Sequence, residues 1–139
     1  MDCKVFIDSS AFKAIVDERD DFNVDAESIF KKLVIEGCKF ITSNYIVDEC
    51  ATLLRAKSGL IKALKFKNYL SNSSPIINIF RVSSKDEVEA WKLFENEWSG
   101  LSFTDCTCFA VMKRLGIKRV FGFDKHFEKA GFILEKKGR

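Results

Sequence analysis

Two kinds of apolar pattern take turns along the chain. Short runs dominated by apolar side chains predict buried strands: Lys4-Val5-Phe6-Ile7, Lys39-Phe40-Ile41, Ile76 to Phe80, Arg119-Val120-Phe121 and Phe132-Ile133-Leu134. Between them, apolar residues recur every three or four positions, which predicts helices. Asp8-Ser9-Ser10 opens a short helix from Ala11 to Asp17, and Ile29, Leu33 and Val34 mark another from Val24 to Glu36, closed by Gly37. Thr42 or Ser43 caps a third, striped by Ile46, Cys50, Leu53 and Leu54; Leu60 to Leu70 forms a fourth with a basic outer side. Ser83 starts a fifth, with Asp86 and Glu87 in its first turn and Val88, Trp91, Phe94 and Trp98 as its buried face, ended by Trp98-Ser99-Gly100. Thr104 caps a sixth from Asp105 to Leu115, stopped by Gly116, and Asp124 begins a last short one that runs to Ala130.

Strands that alternate with helices imply a parallel sheet covered on both faces. The expected class is α/β, a three-layer α/β/α sandwich, and 139 residues suit one domain over 1–139. Strand order does not follow from the pattern.

Composition narrows the picture. Apolar types make up 47% of the chain and 14 residues are Phe, enough for a real core and against disorder. Five cysteines, never spaced C-x-x-C, and a single His126 argue against a Cys/His zinc site; the thiols read as small core residues in a reducing compartment. The start, MDCKVFIDSS, has an acid at position 2 and no apolar leader core, and no apolar run is long enough to span a bilayer, so the expected location is cytoplasmic with no membrane contact. Net charge is only +3 but segregated: residues 50–84 hold six bases (Arg55, Lys57, Lys62, Lys65, Lys67, Arg81) and no acid. Such a stretch suits a phosphate backbone as well as an ordinary solvated face.

The informative positions lie just after strands, because ligands of open parallel sheets bind outside the carboxyl ends. Asp8 follows the first strand at once, Asp124 follows the fourth after Gly122-Phe123, Asp105 begins a helix, and Glu49 sits early in the helix after the second strand. Should they converge, carboxylates about 5 Å apart repel by roughly 3 kcal/mol per pair at an effective dielectric near 20. A hard dication held by a few oxygens, Mg²⁺ or Mn²⁺, would cancel that charge and support phosphodiester cleavage. The bland alternative is four separate caps and surface contacts. Other chemistries fit less well. A dehalogenase-type phosphatase wants Asp-x-Asp where this chain has Ser10, a receiver domain wants an acidic pair ahead of its first strand, and no Gly-rich phosphate loop exists. His126 is expected to be a groove or packing residue.

Phe6-Ile7-Asp8-Ser9-Ser10, Thr42-Ser43-Asn44-Tyr45 leading to Glu49, Ser102-Phe103-Thr104-Asp105 leading to Leu115-Gly116-Ile117, and Val120-Phe121-Gly122-Phe123-Asp124-Lys125-His126-Phe127 together resemble the PIN-domain nucleases. Among these the match is to the VapC-type toxins of toxin–antitoxin modules, and it spans essentially the whole chain. The resemblance implies a Mg²⁺- or Mn²⁺-dependent endoribonuclease with Asp8, Glu49, Asp105 and Asp124 as catalytic acids, and Asp8 and Asp105 as direct metal ligands. Ser10 and Thr104 would support the site and Asn44 would orient Glu49. Arg55, Lys62, Lys65 and Lys125 are the candidate RNA contacts. A homodimer and an antitoxin lying across the helices of residues 43–70 are the implied partners. One departure is Gly122, where the family often has Thr; together with the modest net charge it keeps open an alternative, a PIN-like domain that binds RNA or a protein without cutting.

Overall fold

The computed structural model describes residues 3–138; Met1 and Asp2, at the head of the segment read as lacking a leader, lie outside them. Five strands, β1 (Lys4–Ile7), β2 (Lys39–Ser43), β3 (Ile77–Phe80), β4 (Arg119–Phe121) and β5 (Ile133–Leu134), form one sheet in the order β3-β2-β1-β4-β5. All four pairings are parallel. Seven helices connect them: α1 (Ser9–Val16), α2 (Asn23–Ile35), α3 (Asn44–Ser58), α4 (Leu60–Asn72), α5 (Ser84–Phe94), α6 (Phe103–Leu115) and α7 (His126–Lys129). The three-layer α/β/α class is as expected. The strand order adds what the sequence pattern withheld. The chain builds outward from β1 to β3 on one side, then returns to place β4 and β5 on the other, so a topological switch point lies beside β1.

Burial explains the arrangement. Val5, Phe6 and Ile7 of β1 are fully buried because the central strand has a neighbour on each side and helices on both faces. Phe12 of α1 meets Phe66 of α4 edge-on at 5.2 Å, and Phe66 is the only buried residue of α4. Every residue of α6 from Asp105 to Met112 is buried, as befits a helix enclosed on all sides.

Three expectations need correction. First, α5 stops at Phe94, and its aromatic side faces outward: Val88 and Trp91 are more than half exposed, while Asp86 and Ala90 are buried. The cause is an ion pair. Asp86 receives two hydrogen bonds from Arg114 of α6 (Nε to Oδ1 and a terminal nitrogen to Oδ2, both 2.8 Å) and accepts from the Ser83 amide at 2.9 Å, which turns the face of Asp86, Ala90 and Leu93 inward. Second, Ser102, not Thr104, caps α6, in a reciprocal capping box with Asp105. Third, two of the five cysteines are not free thiols. The Lys4–Lys39 register sets Cys3 beside Cys38, their Cα atoms 4.5 Å apart, and they form a disulfide at the amino ends of β1 and β2. Cys50, Cys106 and Cys108 are buried thiols, as expected. No helix among the described residues is long and apolar enough to cross a membrane.

The Arg114 guanidinium holds the Asp86 carboxyl below its ordinary range. A depressed acid stabilises the fold above its unfolded pKa, and that contribution is lost as pH falls through the folded value. Arg114→Met is therefore expected to lower unfolding free energy by about 2 kcal/mol at pH 7, since Asp86 is left buried without its cation. Denaturant titrations of both proteins should converge at acid pH, once Asp86 is protonated in each.

Candidate active site

The chain ends of β1 and β4 are tied together before any acid is considered. The Asp8 amide donates to the Phe121 carbonyl at 3.0 Å, so the ladder runs one residue past β1. Ser10 reinforces the link: its hydroxyl donates to Asp8 Oδ2 at 2.9 Å and accepts from the Phe123 amide at 2.9 Å. Asp8 is thereby fixed and 97% buried at the switch point. Gly122 passes directly over it. A Cβ at position 122 would stand 2.9 Å from Asp8 Cβ, closer than side chains tolerate, and a tight 3.3 Å from Ser10 Oγ. The glycine is thus what lets β4 run this close to Asp8.

The other acids reach the same place from different helices. Glu49, in the second turn of α3, accepts from the Ser9 hydroxyl at 2.7 Å. Asp105 enters from the first turn of α6, where Oδ2 accepts from the Ser102 amide at 3.2 Å. Asp124 follows β4, and its Oδ1 accepts from the His126 amide at 2.9 Å, which folds the chain back on itself. Asp8, Glu49, Asp105 and Asp124 all line one cleft of about 320 Å³, together with Ser9, Ser10 and Ser102.

Not every predicted neighbour belongs to it. Asn44 does not orient Glu49; its side-chain oxygen accepts from the Val82 amide at 2.8 Å and so joins α3 to the loop after β3. Thr104 contributes its carbonyl to the Thr107 hydroxyl inside α6. Lys62 and Lys65 both approach Glu18, so part of the basic stretch is neutralised. Arg55 and Lys125 are exposed.

His126 is the residue that sequence reasoning missed. Its Nδ1 lies 3.1 Å from Asp124 Oδ1 and 3.5 Å from Asp105 Oδ2, and its Nε2 is 2.8 Å from the Ser99 carbonyl. The usable signal was the Asp-x-His spacing after a strand, which an Asp-initiated turn converts into a side chain facing its own aspartate.

Electrostatics mark the cleft as strained. Burial pushes the Asp8 carboxyl up to about 7; the Ser10 hydroxyl opposes the shift, and the charges of Asp105 and Glu49 add to it. Burial also raises Asp105, opposed by the Ser102 hydrogen bonds and supported by Asp124 and Glu49. Burial disfavours a charged His126, yet the Ser99 carbonyl and the charges of Asp124 and Asp105 outweigh it and raise its pKa. Burial and the neighbouring acids hold Cys50 up to about 12 and Cys108 well above the ordinary range, so neither thiol is a nucleophile. The donor set, carboxylate oxygens around one imidazole nitrogen, fits a divalent ion, and Asp105, Asp124 and His126 bring one ligand atom each within 4.8 Å of the others.

A parallel sheet with order 3-2-1-4-5 and four carboxylates gathered at its switch point defines a class of acidic-site α/β domains. The chain belongs to the PIN-domain family, whose pattern matches residues 5–133, and within it to the VapC type. It is 30% identical to the 23S rRNA-specific endonuclease VapC20 of Mycobacterium tuberculosis over 132 residues, 93% of this chain and 95% of that one. The crystal structure of that toxin, described as cleaving the sarcin-ricin loop, aligns with a TM-score of 0.80 at 29% identity, covering 93% of this chain and 96% of the other. VapBC2 of Rickettsia felis, bound to a promoter DNA fragment, shares the fold at a TM-score of 0.70 and 15% identity, covering 97% and 99%.

An acid whose folded pKa is raised binds its proton more tightly in the native state, so stability falls as pH climbs from about 4 to about 7. In chelator, Asp8→Asn is expected to be more stable than the unsubstituted protein at pH 8, by on the order of 2 kcal/mol. The gap should shrink by pH 5. Equal melting temperatures at pH 8 would contradict the burial argument.

Proposed function

We propose that this protein is a divalent-metal-dependent endoribonuclease and the toxin of a toxin–antitoxin pair. The observation that carries the proposal is the meeting of four acids from four separate chain segments in one cleft, two of them with carboxyls raised by burial and mutual repulsion. Such a cluster costs stability unless a cation occupies it. Asp8 and Asp105 would hold Mg²⁺ or Mn²⁺, with Glu49 and Asp124 completing the acidic wall. When bound, the ion supplies a water of lowered pKa and charge stabilisation for the scissile phosphate. The protein's own part is positioning. Ser10 fixes Asp8 through one donated and one accepted hydrogen bond, Ser9 fixes Glu49, and Ser102 fixes Asp105.

The substrate reading rests on likeness to VapC20, which acts on 23S rRNA: the proposed target is RNA with an exposed loop, whose unstacked bases a protein can reach. Ribosomal RNA as target would place the activity in the cytoplasm. Arg55, Lys125 and the free lysines of α3 and α4 would steer the phosphates. The same two helices present an apolar groove bounded by Val47, Ala51, Leu60, Ala63 and Leu64, with Leu60, Ile61 and Leu64 exposed. An antitoxin helix or strap would cover it. Self-association belongs to the same proposal, and the exposed Val88, Trp91 and Phe94 form one apolar surface that would serve it.

The non-cutting alternative rested on Gly122 and on the modest net charge. The close approach of Gly122 to Asp8 gives the glycine a positive reason, so its lack of a hydroxyl does not argue against catalysis. Asp8→Asn and Asp105→Asn are each expected to reduce Mn²⁺-dependent cleavage of loop-bearing RNA at least 100-fold while leaving the circular dichroism spectrum unchanged. EDTA should abolish cleavage by the unsubstituted protein. Full activity in either variant would overturn the assignment. Gly122→Ala should cost at least tenfold in the same assay, because the added methyl displaces Asp8.

A further inference from the structure

We infer that His126 is a nitrogen ligand of the divalent ion through Nδ1, and that it makes the site prefer Mn²⁺ to Mg²⁺. This rests on the metal-dependent reading of the cleft but goes beyond its carboxylates.

A carbonyl oxygen only accepts, so Nε2, 2.8 Å from the Ser99 carbonyl, carries a hydrogen. In the neutral ring the lone pair then sits on Nδ1. That atom is buried and has no hydrogen-bond partner, although two carboxylates stand within 3.5 Å of it. A lone pair aimed at two carboxylates is repelled unless a cation lies between them. The spacing suits one: adjacent ligands of an octahedral ion with bonds of about 2.1 Å are about 3 Å apart, against the 3.1 Å from Nδ1 to Asp124.

The ring is also held for the task. Trp98 lies parallel to it with centroids 6.5 Å apart, and the Gly100 backbone packs near its Cε1 edge. A carbonyl fixing the far nitrogen of a histidine is the usual way a protein sets tautomer and ring orientation for a metal ligand. Mn²⁺ shares the carboxylate oxygens with Mg²⁺ and is the weakest of the first-row ions for nitrogen. It still accepts an imidazole more readily than Mg²⁺, which demands oxygen and gives up its water reluctantly, so the histidine biases the site. A proton on Nδ1 would satisfy the same carboxylates, and the experiment separates the two.

The chain has one histidine, so any nitrogen signal from imidazole is assigned without ambiguity. Metal-free protein loaded with one equivalent of Mn²⁺ should show directly bound nitrogen in its pulsed electron paramagnetic resonance spectrum, changed by ¹⁵N-histidine labelling. Calorimetric titrations give the second readout. His126→Gln keeps a donor near Nε2 for the Ser99 carbonyl but removes Nδ1; it is expected to weaken Mn²⁺ at least tenfold and Mg²⁺ less than threefold. His126→Asn keeps an oxygen near the Nδ1 position and should move the preference toward Mg²⁺. Mn²⁺ bound without a nitrogen signal, or an unchanged Mn²⁺/Mg²⁺ ratio in His126→Gln, overturns the inference and leaves the acidic site standing. Absence of binding by either ion in the unsubstituted protein overturns both.

Discussion

Repulsion among carboxylates at the edge of a parallel sheet is the constraint around which the molecule is arranged. Asp8 is the central case, since it follows the central strand and is almost wholly buried at the floor of the cleft. Burying a carboxylate there is unfavourable unless hydrogen bonds, a proton or a cation compensate. Hydrogen bonds supply only part of that: Ser10 donates once to Asp8, Ser9 once to Glu49, and the Ser102 amide once to Asp105. What remains is a concentrated negative field at the one place where two sheet halves diverge and the backbone leaves room for a ligand. Gly122 belongs to this constraint, because β4 must pass within contact of Asp8 for the two strand ends to share Ser10.

The opposite end of the sheet is built the other way. There Arg119 donates to both oxygens of Glu135 at 2.9 and 2.6 Å, reaches Glu36 at 3.5 Å, and lies against Cys3 of the Cys3–Cys38 bridge. At that edge the arginine is fully paired and the starts of β1 and β2 are covalently joined. A rigid, compensated amino edge can carry an uncompensated carboxyl edge, since net stability is a small sum over the whole chain. The division also explains why the acids need no large rearrangement to meet. Each is anchored on a strand end or the first turns of a helix whose far end is fixed elsewhere.

Much of this was legible in the amino-acid sequence, for identifiable reasons. All five strands and the placing of Asp8, Asp105 and Asp124 at strand ends or helix starts follow from apolar runs and polar punctuation, which are local signals. What escaped depended on contacts distant in sequence. The facing of α5 is decided by Arg114, 28 positions from Asp86, against an aromatic stripe whose periodicity is just as helical. Asn44 sits one residue into α3 beside the expected motif, yet its partner is the Val82 amide in another loop. The Cys3–Cys38 pair needs the β1–β2 register, and the role of His126 needs the turn that Asp124 makes over two residues. Thr104 was expected to cap α6, and the cap is Ser102. Asp105 stands three residues after Ser102 and closes a capping box.

The helix α3 links the cleft to the rest of the surface. Glu49, Cys50, Leu53 and Leu54 border the cleft, whereas Val47, Ala51 and Arg55 border the groove shared with α4. These two sets are interleaved at helical spacing on one 15-residue element, so the same helix is a wall of both. Ser43 caps its start and Asn44 ties it to the loop after β3, while Phe66 of α4 and Phe12 of α1 lock the neighbouring helices together. A rigid helix pressed from the groove side transmits any displacement to Glu49, which holds its place through a single hydrogen bond from Ser9. A partner seated on the apolar groove would therefore act on the acidic wall without entering the cleft.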